Sequence, residues 1–199
     1  MSIYLSRIPN LLTMLRVVLT CWVNYHILNY FTDLLLPAVI VPVIILTDYL
    51  DGKIARAYGY ASVFGEVFDV CADLFYILSF SIVLSVLNVL PFWFVFIILF
   101  KFIEFVITSY FLRRNKTEKR LFVFDFIGKL SVALFYICPL LIYVAYCLSQ
   151  PLYNFIADVM LFIITLLAAV SSSHRIFSCI KALKAYFVEN TYAFRKVVN

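Results

Sequence analysis

Residues 48–73 read DYLDGKIARAYGYASVFGEVFDVCAD and place four aspartates, Asp48, Asp51, Asp69 and Asp73, in a chain that is otherwise strongly apolar. The 199 residues are 65% hydrophobic and 14% charged, with a mean hydropathy of +1.04. A water-soluble domain of this length does not need so much apolar surface, and a lipid bilayer is therefore the expected surrounding. Because charge is costly there, four carboxylates in one short stretch indicate a functional site.

Hydrophobic runs along the chain predict an all-α, polytopic membrane protein. A helix needs about 20 apolar residues to cross a bilayer, and the breaks between the runs carry charged or turn-forming residues. Six transmembrane helices are expected, at residues 8–28, 34–56, 62–88, 91–112, 121–148 and 152–177. Residues 1–177 are therefore predicted to form one membrane domain. Residues 178–199 are predicted to be a cytoplasmic tail, either an amphipathic helix on the membrane surface or a frayed terminus.

Lysine and arginine are confined to one side of this predicted topology. They precede the first run, flank the end of the second, occur throughout residues 113–120 and follow the sixth run, whereas the alternate connections contain neither residue. Short loops rich in Lys and Arg stay in the cytoplasm. Both termini and the acidic stretch are therefore predicted to lie on the cytoplasmic side.

The four aspartates are spaced for a shared site. Asp48 and Asp51 are three positions apart and Asp69 and Asp73 are four apart; on a helix, each spacing puts both side chains on one face. Because the connection between the second and third runs is short, these helices are expected to be antiparallel neighbours whose carboxylates face each other.

Four ionised carboxylates at one site need a counter-charge. Two of them about 5 Å apart repel by about 3 kcal/mol at an effective dielectric constant of 20. Either several are protonated or cations are bound. Hard oxygen ligands favour Mg²⁺ or Mn²⁺, and two divalent ions balance four negative charges. A two-metal site is therefore expected rather than a protonated one.

Small residues accompany the acids. Gly52 and Ala55 lie on the helix face of the first acidic pair, and Gly65 lies one turn before the second pair. Such faces leave room for a ligand beside the backbone, and Arg56 can hold a phosphate there. The alternative for small residues on a membrane helix is close helix–helix packing. The neighbouring acids and arginine favour the ligand slot.

The same stretch fits the pattern D-x₂-D-G-x₂-A-R-x₈-G-x₃-D-x₃-D at all eight specified positions. In this it resembles the CDP-alcohol phosphotransferase family. The resemblance implies cleavage of the pyrophosphate of a CDP-linked donor, usually CDP-diacylglycerol, and transfer of the phosphatidyl group to an alcohol with release of CMP. It also implies a homodimer in the membrane that uses Mg²⁺ or Mn²⁺ and binds no nucleic acid.

The resemblance further implies roles for individual residues. Asp48, Asp51 and Asp69 bind two metal ions, with Asp73 also at the metal site. Asp73 is the general base that deprotonates the acceptor hydroxyl. The CDP or CMP site comprises Asn10, Thr13, Asp51, Gly52, Ala55, Arg56 and Gly65. The alternative for Asn10 and Thr13 is that they cap and pack the start of the first helix.

The acceptor is less well specified. The first run opens IPNLLTMLR, with Asn10, Thr13 and Arg16 at three-residue steps, and most resembles phosphatidylglycerophosphate synthases, whose acceptor is glycerol 3-phosphate. Arg16 counts against serine, since bacterial phosphatidylserine synthases tend to have Asn there. However, FDVCADL and IEF depart from the LDPLADK and REF typical of that subfamily. Inositol, inositol phosphate, serine and phosphatidylglycerol remain alternative acceptors.

Ionisable residues inside the fourth and fifth runs suggest an acceptor pocket, because such residues usually face the bundle interior. Lys129, and less surely Lys101 or Arg113, is expected to bind an acceptor phosphate. Lys101 and Lys129 could instead form ion pairs with Glu104 and Asp125, respectively. Arg175 is expected to reach lipid headgroups rather than an acceptor phosphate.

A cation transporter or channel is the alternative from another functional class. Such proteins place ionisable groups near the bilayer midplane, often between broken helices. Here nearly all of these groups fall in the predicted cytoplasmic third, which favours an enzyme.

Overall fold

The computed structural model describes the backbone of residues 8–58, 63–114 and 126–198. This part of the chain contains no strand and forms six helices: α1 Ile8–Asn29, α2 Leu35–Tyr58, α3 Val63–Val86, α4 Phe92–Arg114, α5 Phe126–Leu148 and α6 Gln150–Val198. The prediction of an all-α protein is confirmed.

The helices are those of a polytopic membrane protein. Within the described residues, α1, α3, α4, α5 and α6 are each long and apolar enough to cross a bilayer, whereas the apolar part of α2 is shorter, Leu35–Leu50. Large apolar side chains cover the outer surface; Leu11, Phe96 and Phe162 are 68%, 64% and 68% exposed. A surface of this kind suits lipid rather than water.

The connections on the side remote from the aspartates are tight. Asn88, two residues after the end of α3, adopts a left-handed conformation with a φ of 58°. The backbone N–H of Val89 donates to the carbonyl of Leu84 at 2.8 Å, and that of Asn88 donates to Ser85 at 3.1 Å. This is the Schellman arrangement, which satisfies the last carbonyls of a helix. It reverses the chain directly into α4.

Helix α1 holds one half of the bundle together. It packs closely against both α2 and α3, while α6 packs against α4 and α5, and α3 joins the halves by contacting α4 and α5. The buried core includes Val23 and Ile27 of α1, Ile44 of α2 and Phe80 of α3. The two acidic helices were expected to be neighbours whose carboxylates face each other, and Asp48 of α2 does lie near Asp69 and Asp73 of α3; in the described part of the chain both helices pack most closely against α1.

Helix α6 is longer than the sixth predicted span. Its 49 residues continue without a break past residue 177, and at 1.5 Å per residue it is about 73 Å long, against about 30 Å for the hydrocarbon core. The chain therefore has no helix end where the tail was predicted to begin. That the last part lies on the membrane surface stays a prediction, because most of its side chains are outside the described set.

Candidate active site

Three of the four aspartates converge on one point. Asp48 comes from the second half of α2, and Asp69 and Asp73 come from the first half of α3; one carboxylate oxygen of each lies within 4.8 Å of the others. All three side chains are partly buried. Asp51 belongs to α2, but its side chain lies outside the described residues. The structure thus brings together three carboxylates that the sequence separates by up to 25 positions.

A buried arginine sits among these carboxylates. Arg16 of α1 is 0% exposed. Its Nη2 lies 3.1 Å from Oδ1 of Asp48, and its Nη1 lies 2.9 Å from Oδ1 of Asp69 and 2.5 Å from Oδ1 of Asp73. In the sequence, Arg16 bore only on the choice of acceptor, and its place among the carboxylates was not predicted. The available signal was general: a charged side chain inside an apolar helix needs a partner of opposite charge.

Tyr136 of α5 was also missed. Its hydroxyl donates to Oδ1 of Asp73 at 3.4 Å. The ring is buried and stacks on Tyr76 of α3, with ring centroids 4.4 Å apart, and the Tyr76 hydroxyl donates to the Tyr136 carbonyl at 3.2 Å. A tyrosine in a mostly apolar run carries no spacing signal that would link it to Asp73. Its packing restricts where the hydroxyl can point.

The carboxylate cluster fits a divalent cation by its chemistry. All three donors are hard oxygens of the kind that Mg²⁺ and Mn²⁺ prefer, and they are close enough to share one ion. Among the described side chains, three negative charges face the single positive charge of Arg16, which leaves a net charge of −2. Because the guanidinium contacts all three carboxylates, a cation entering the cluster has to share them with Arg16.

The residues expected at the nucleotide lie on the helices around this cluster. Thr13 is buried and Asn10 half-buried on α1, three and six positions before Arg16, and Gly65 is half-buried on α3. On α2, residues 52, 55 and 56 continue the helix beyond the first acids, but their side chains lie outside the described residues. Their assignment to the nucleotide stays a prediction.

A pocket of about 100 Å³ opens beside Asp73. Its walls come from α3, α4, α5 and α6 and are mostly apolar, including Ile98 and Phe135. The polar side chains in its lining are those of Asp73, Lys101, Ser131, Ser171 and Arg175. Asp73 therefore belongs both to the carboxylate cluster and to the pocket.

The positive charges of this pocket are held in a buried network between α4 and α6. Lys101 Nζ lies 2.6 Å from Oε2 of Glu104 and 3.1 Å from Oγ of Ser172. Arg175 is 3% exposed, and its Nη2 donates to Oγ1 of Thr108 at 2.7 Å. The expectation that Arg175 reaches lipid headgroups was wrong, because the close packing of α4 and α6 encloses its side chain. Lys101 forms an ion pair with Glu104. This pair was the alternative to binding an acceptor phosphate.

The structure says less about the other two residues predicted to bind the acceptor, Lys129 and Arg113. Lys129 is exposed on α5, next to Gly128, which lines the pocket. Arg113 is in the last turn of α4, and its side chain lies outside the described residues, as does Asp125. Their part in acceptor binding stays a prediction.

Comparison with known proteins decides the family. The family model for CDP-alcohol phosphatidyltransferases matches residues 6–171, which include all six helices in whole or in part. The chain belongs to the CDP-alcohol phosphatidyltransferase family. The family predicted from residues 48–73 is therefore confirmed.

Two relatives of this CDP-alcohol phosphatidyltransferase family member are both named as cardiolipin synthases. The chain is 36% identical over 98 residues to a probable cardiolipin synthase (CMP-forming) of Drosophila melanogaster. It is 34% identical over 98 residues to a cardiolipin synthase (CMP-forming) of Streptomyces coelicolor. Each match covers 49% of this chain, and the matches cover 30% and 45% of the two relatives. The chain thus spans less than half of either relative, and both names differ from the subfamily that the sequence favoured.

Proposed function

We propose that this protein transfers a phosphatidyl group from CDP-diacylglycerol to an alcohol and releases CMP. The convergence of Asp48, Asp69 and Asp73 carries this proposal, because these are the positions of the family pattern and they meet beside a pocket. Membership of a family of CDP-alcohol phosphatidyltransferases supports the same reaction class.

The carboxylates provide the site for the donor's pyrophosphate. Asp48, Asp51, Asp69 and Asp73 would hold Mg²⁺ or Mn²⁺, which would stabilise the negative charge that develops as the pyrophosphate bond breaks. Thr13 on α1 and Gly65 on α3 would contact the nucleotide.

We propose two ions for the complete site, because the acidic pattern offers four carboxylates, enough oxygen ligands for two ions. The other chemical roles fall to side chains of the protein. Asp73 lies where the carboxylate cluster meets the pocket, within reach of an acceptor hydroxyl that enters from the pocket, and it would take the proton of that hydroxyl as general base. Tyr136 donates to the same carboxylate and holds its orientation. The apolar walls of the pocket keep bulk water from competing as an acceptor.

The pocket also supports a choice of acceptor, and we propose phosphatidylglycerol. Lys101 and Arg175 carry two positive charges against the one negative charge of Glu104, which leaves a net charge of +1 in the described network between α4 and α6. Phosphatidylglycerol is a phosphodiester with a single negative charge and brings acyl chains that suit apolar walls. The names of the two relatives support this acceptor, since joining a phosphatidyl group to phosphatidylglycerol yields cardiolipin.

Glycerol 3-phosphate is the second candidate acceptor. The order of Asn10, Thr13 and Arg16 in the first helix favours it, as does the exposed cationic side chain of Lys129 on α5. Its phosphate monoester carries about −1.5 to −2 at pH 7, which the pocket network alone would not balance. Binding it would therefore call on Lys129 or Arg113 in addition.

The orientation and assembly of the protein are part of the proposal. The distribution of Lys and Arg supports a cytoplasmic active site and cytoplasmic termini. Membership of the family supports a homodimer.

The reaction is tested with purified full-length protein in detergent, CDP-diacylglycerol and one acceptor at a time. We expect CMP release with phosphatidylglycerol and Mg²⁺ or Mn²⁺, and its loss after chelation. Asp69→Asn should abolish the release, whereas Asp158→Asn, the same change at an exposed position of α6, should not. Turnover that survives exhaustive chelation would contradict the metal role. Release with glycerol 3-phosphate alone would favour the second acceptor, and no release with any alcohol would contradict the function.

A further inference from the structure

Arg16 is a positively charged side chain among carboxylates that are expected to bind metal ions. It is fully buried, yet its guanidinium contacts one oxygen of each of three carboxylates at 2.5 to 3.1 Å. A buried guanidinium without partners is strongly unfavourable, and so are three unpaired carboxylates beside one another. Each group therefore compensates the other in the arrangement that the structure describes.

The fold holds this arginine in place. Arg16 lies on α1, the helix that packs closely against both α2 and α3, and these two helices carry the three aspartates. The hydroxyl of Thr20 donates to the Arg16 carbonyl at 2.8 Å within the same buried face. The guanidinium thus links three helices at the point where their acidic residues meet.

We propose that Arg16 is the resident cation of the metal-free site and that divalent ions compete with it for the same carboxylates. This inference rests on the metal role in the proposed function. A divalent ion among these oxygens would lie within a few ångströms of the guanidinium, where two cations repel strongly. Binding of the ion therefore weakens or breaks the contacts of Arg16 with the aspartates, and Arg16 lowers the affinity of the site for metal while keeping the metal-free site assembled.

Direct measurement of Mn²⁺ binding tests the competition without relying on activity. Free Mn²⁺ is followed by electron paramagnetic resonance as the ion is titrated into purified wild-type protein, Arg16→Gln and Arg16→Lys. We expect Arg16→Gln to bind Mn²⁺ about tenfold more tightly or better, because it removes a full positive charge from the site. Arg16→Lys keeps the charge and should stay within about threefold of wild type. Asp48→Asn should weaken binding and so locate the ion at the cluster.

A second measurement uses the wild-type protein, because removal of the buried cation can unfold Arg16→Gln when no metal is bound. The guanidinium N–H signals of ¹⁵N-arginine-labelled protein are recorded by NMR, and the Arg16 signals are identified by their absence in Arg16→Lys. We expect slow hydrogen exchange at these groups without metal and faster exchange, with shifted signals, once Mg²⁺ is bound. Unchanged Arg16 signals at saturating Mg²⁺ would overturn the competition.

The outcomes separate this inference from the proposed function. If wild type binds Mn²⁺ and folded Arg16→Gln binds it with equal or lower affinity, the competition is overturned. Metal-dependent transfer would still stand. Absence of Mn²⁺ binding in every variant would overturn both.

Discussion

The Nη1 atom of Arg16 lies 2.5 Å from the Oδ1 atom of Asp73, although the two residues are 57 positions apart. The contact joins α1 to α3 at the boundary between the carboxylate cluster and the pocket. Asp73 therefore belongs both to the cluster and to the lining of the pocket. This geometry makes Asp73 the residue whose replacement is most informative.

Asp73→Asn is expected to abolish phosphatidyl transfer while CDP-lipid and metal binding largely survive. The amide keeps the shape of the side chain but cannot act as the base. CMP release and Mn²⁺ binding are measured on the same preparation, with Asp158→Asn as the matched control. An equal loss of binding and transfer would show that the base assignment is wrong.

Tyr136→Phe tests whether the tyrosine positions Asp73. The variant loses the hydroxyl that donates to Asp73 but keeps the ring that stacks on Tyr76. We expect kcat to fall about tenfold, because misplacement of a catalytic group is costly, while the donor KM stays nearly constant. Tyr153→Phe is the control, since it loses a hydroxyl bonded to the Val89 carbonyl away from the site. A normal kcat in Tyr136→Phe would remove it from the reaction.

Lys101→Met is expected to destabilise the protein by about 3 kcal/mol or more, because it leaves Glu104 buried without its closest partner. Thermal unfolding in detergent measures the effect. The matched variant Lys129→Met changes an exposed lysine on α5 and should shift the free energy of unfolding by less than about 0.5 kcal/mol. Equal stability of the two variants would mean that the Lys101–Glu104 pair is not a structural contact.

Lys129→Ala separates the two acceptor candidates. If glycerol 3-phosphate is used, the KM for this acceptor should rise several-fold more than the KM for CDP-diacylglycerol, because the phosphate loses a cation. Steady-state kinetics with each substrate varied in turn measure this, with Lys181→Ala, an exposed lysine of α6, as control. An unchanged acceptor KM would place Lys129 outside the pocket.

The sequence made the helices and the family predictable because both depend on local patterns. Apolar runs fix which segments are helical in a membrane, and the spacing of Asp48, Asp69 and Asp73 with their small neighbours is written within 26 consecutive residues. The end of α6 was less predictable, because the local residue pattern does not distinguish a helix that continues out of the membrane from a loop.

By itself, the sequence determined an all-helical membrane protein with a family-specific acidic pattern, because hydropathy and residue spacing along one helix are local properties. The tertiary structure decided that Arg16 enters the acidic cluster, that Tyr136 reaches Asp73, and that Arg175 is enclosed between α4 and α6. Those contacts join residues of different helices. Which helices become neighbours, and which face each one turns inward, is set by the packing of the whole bundle rather than by any single segment.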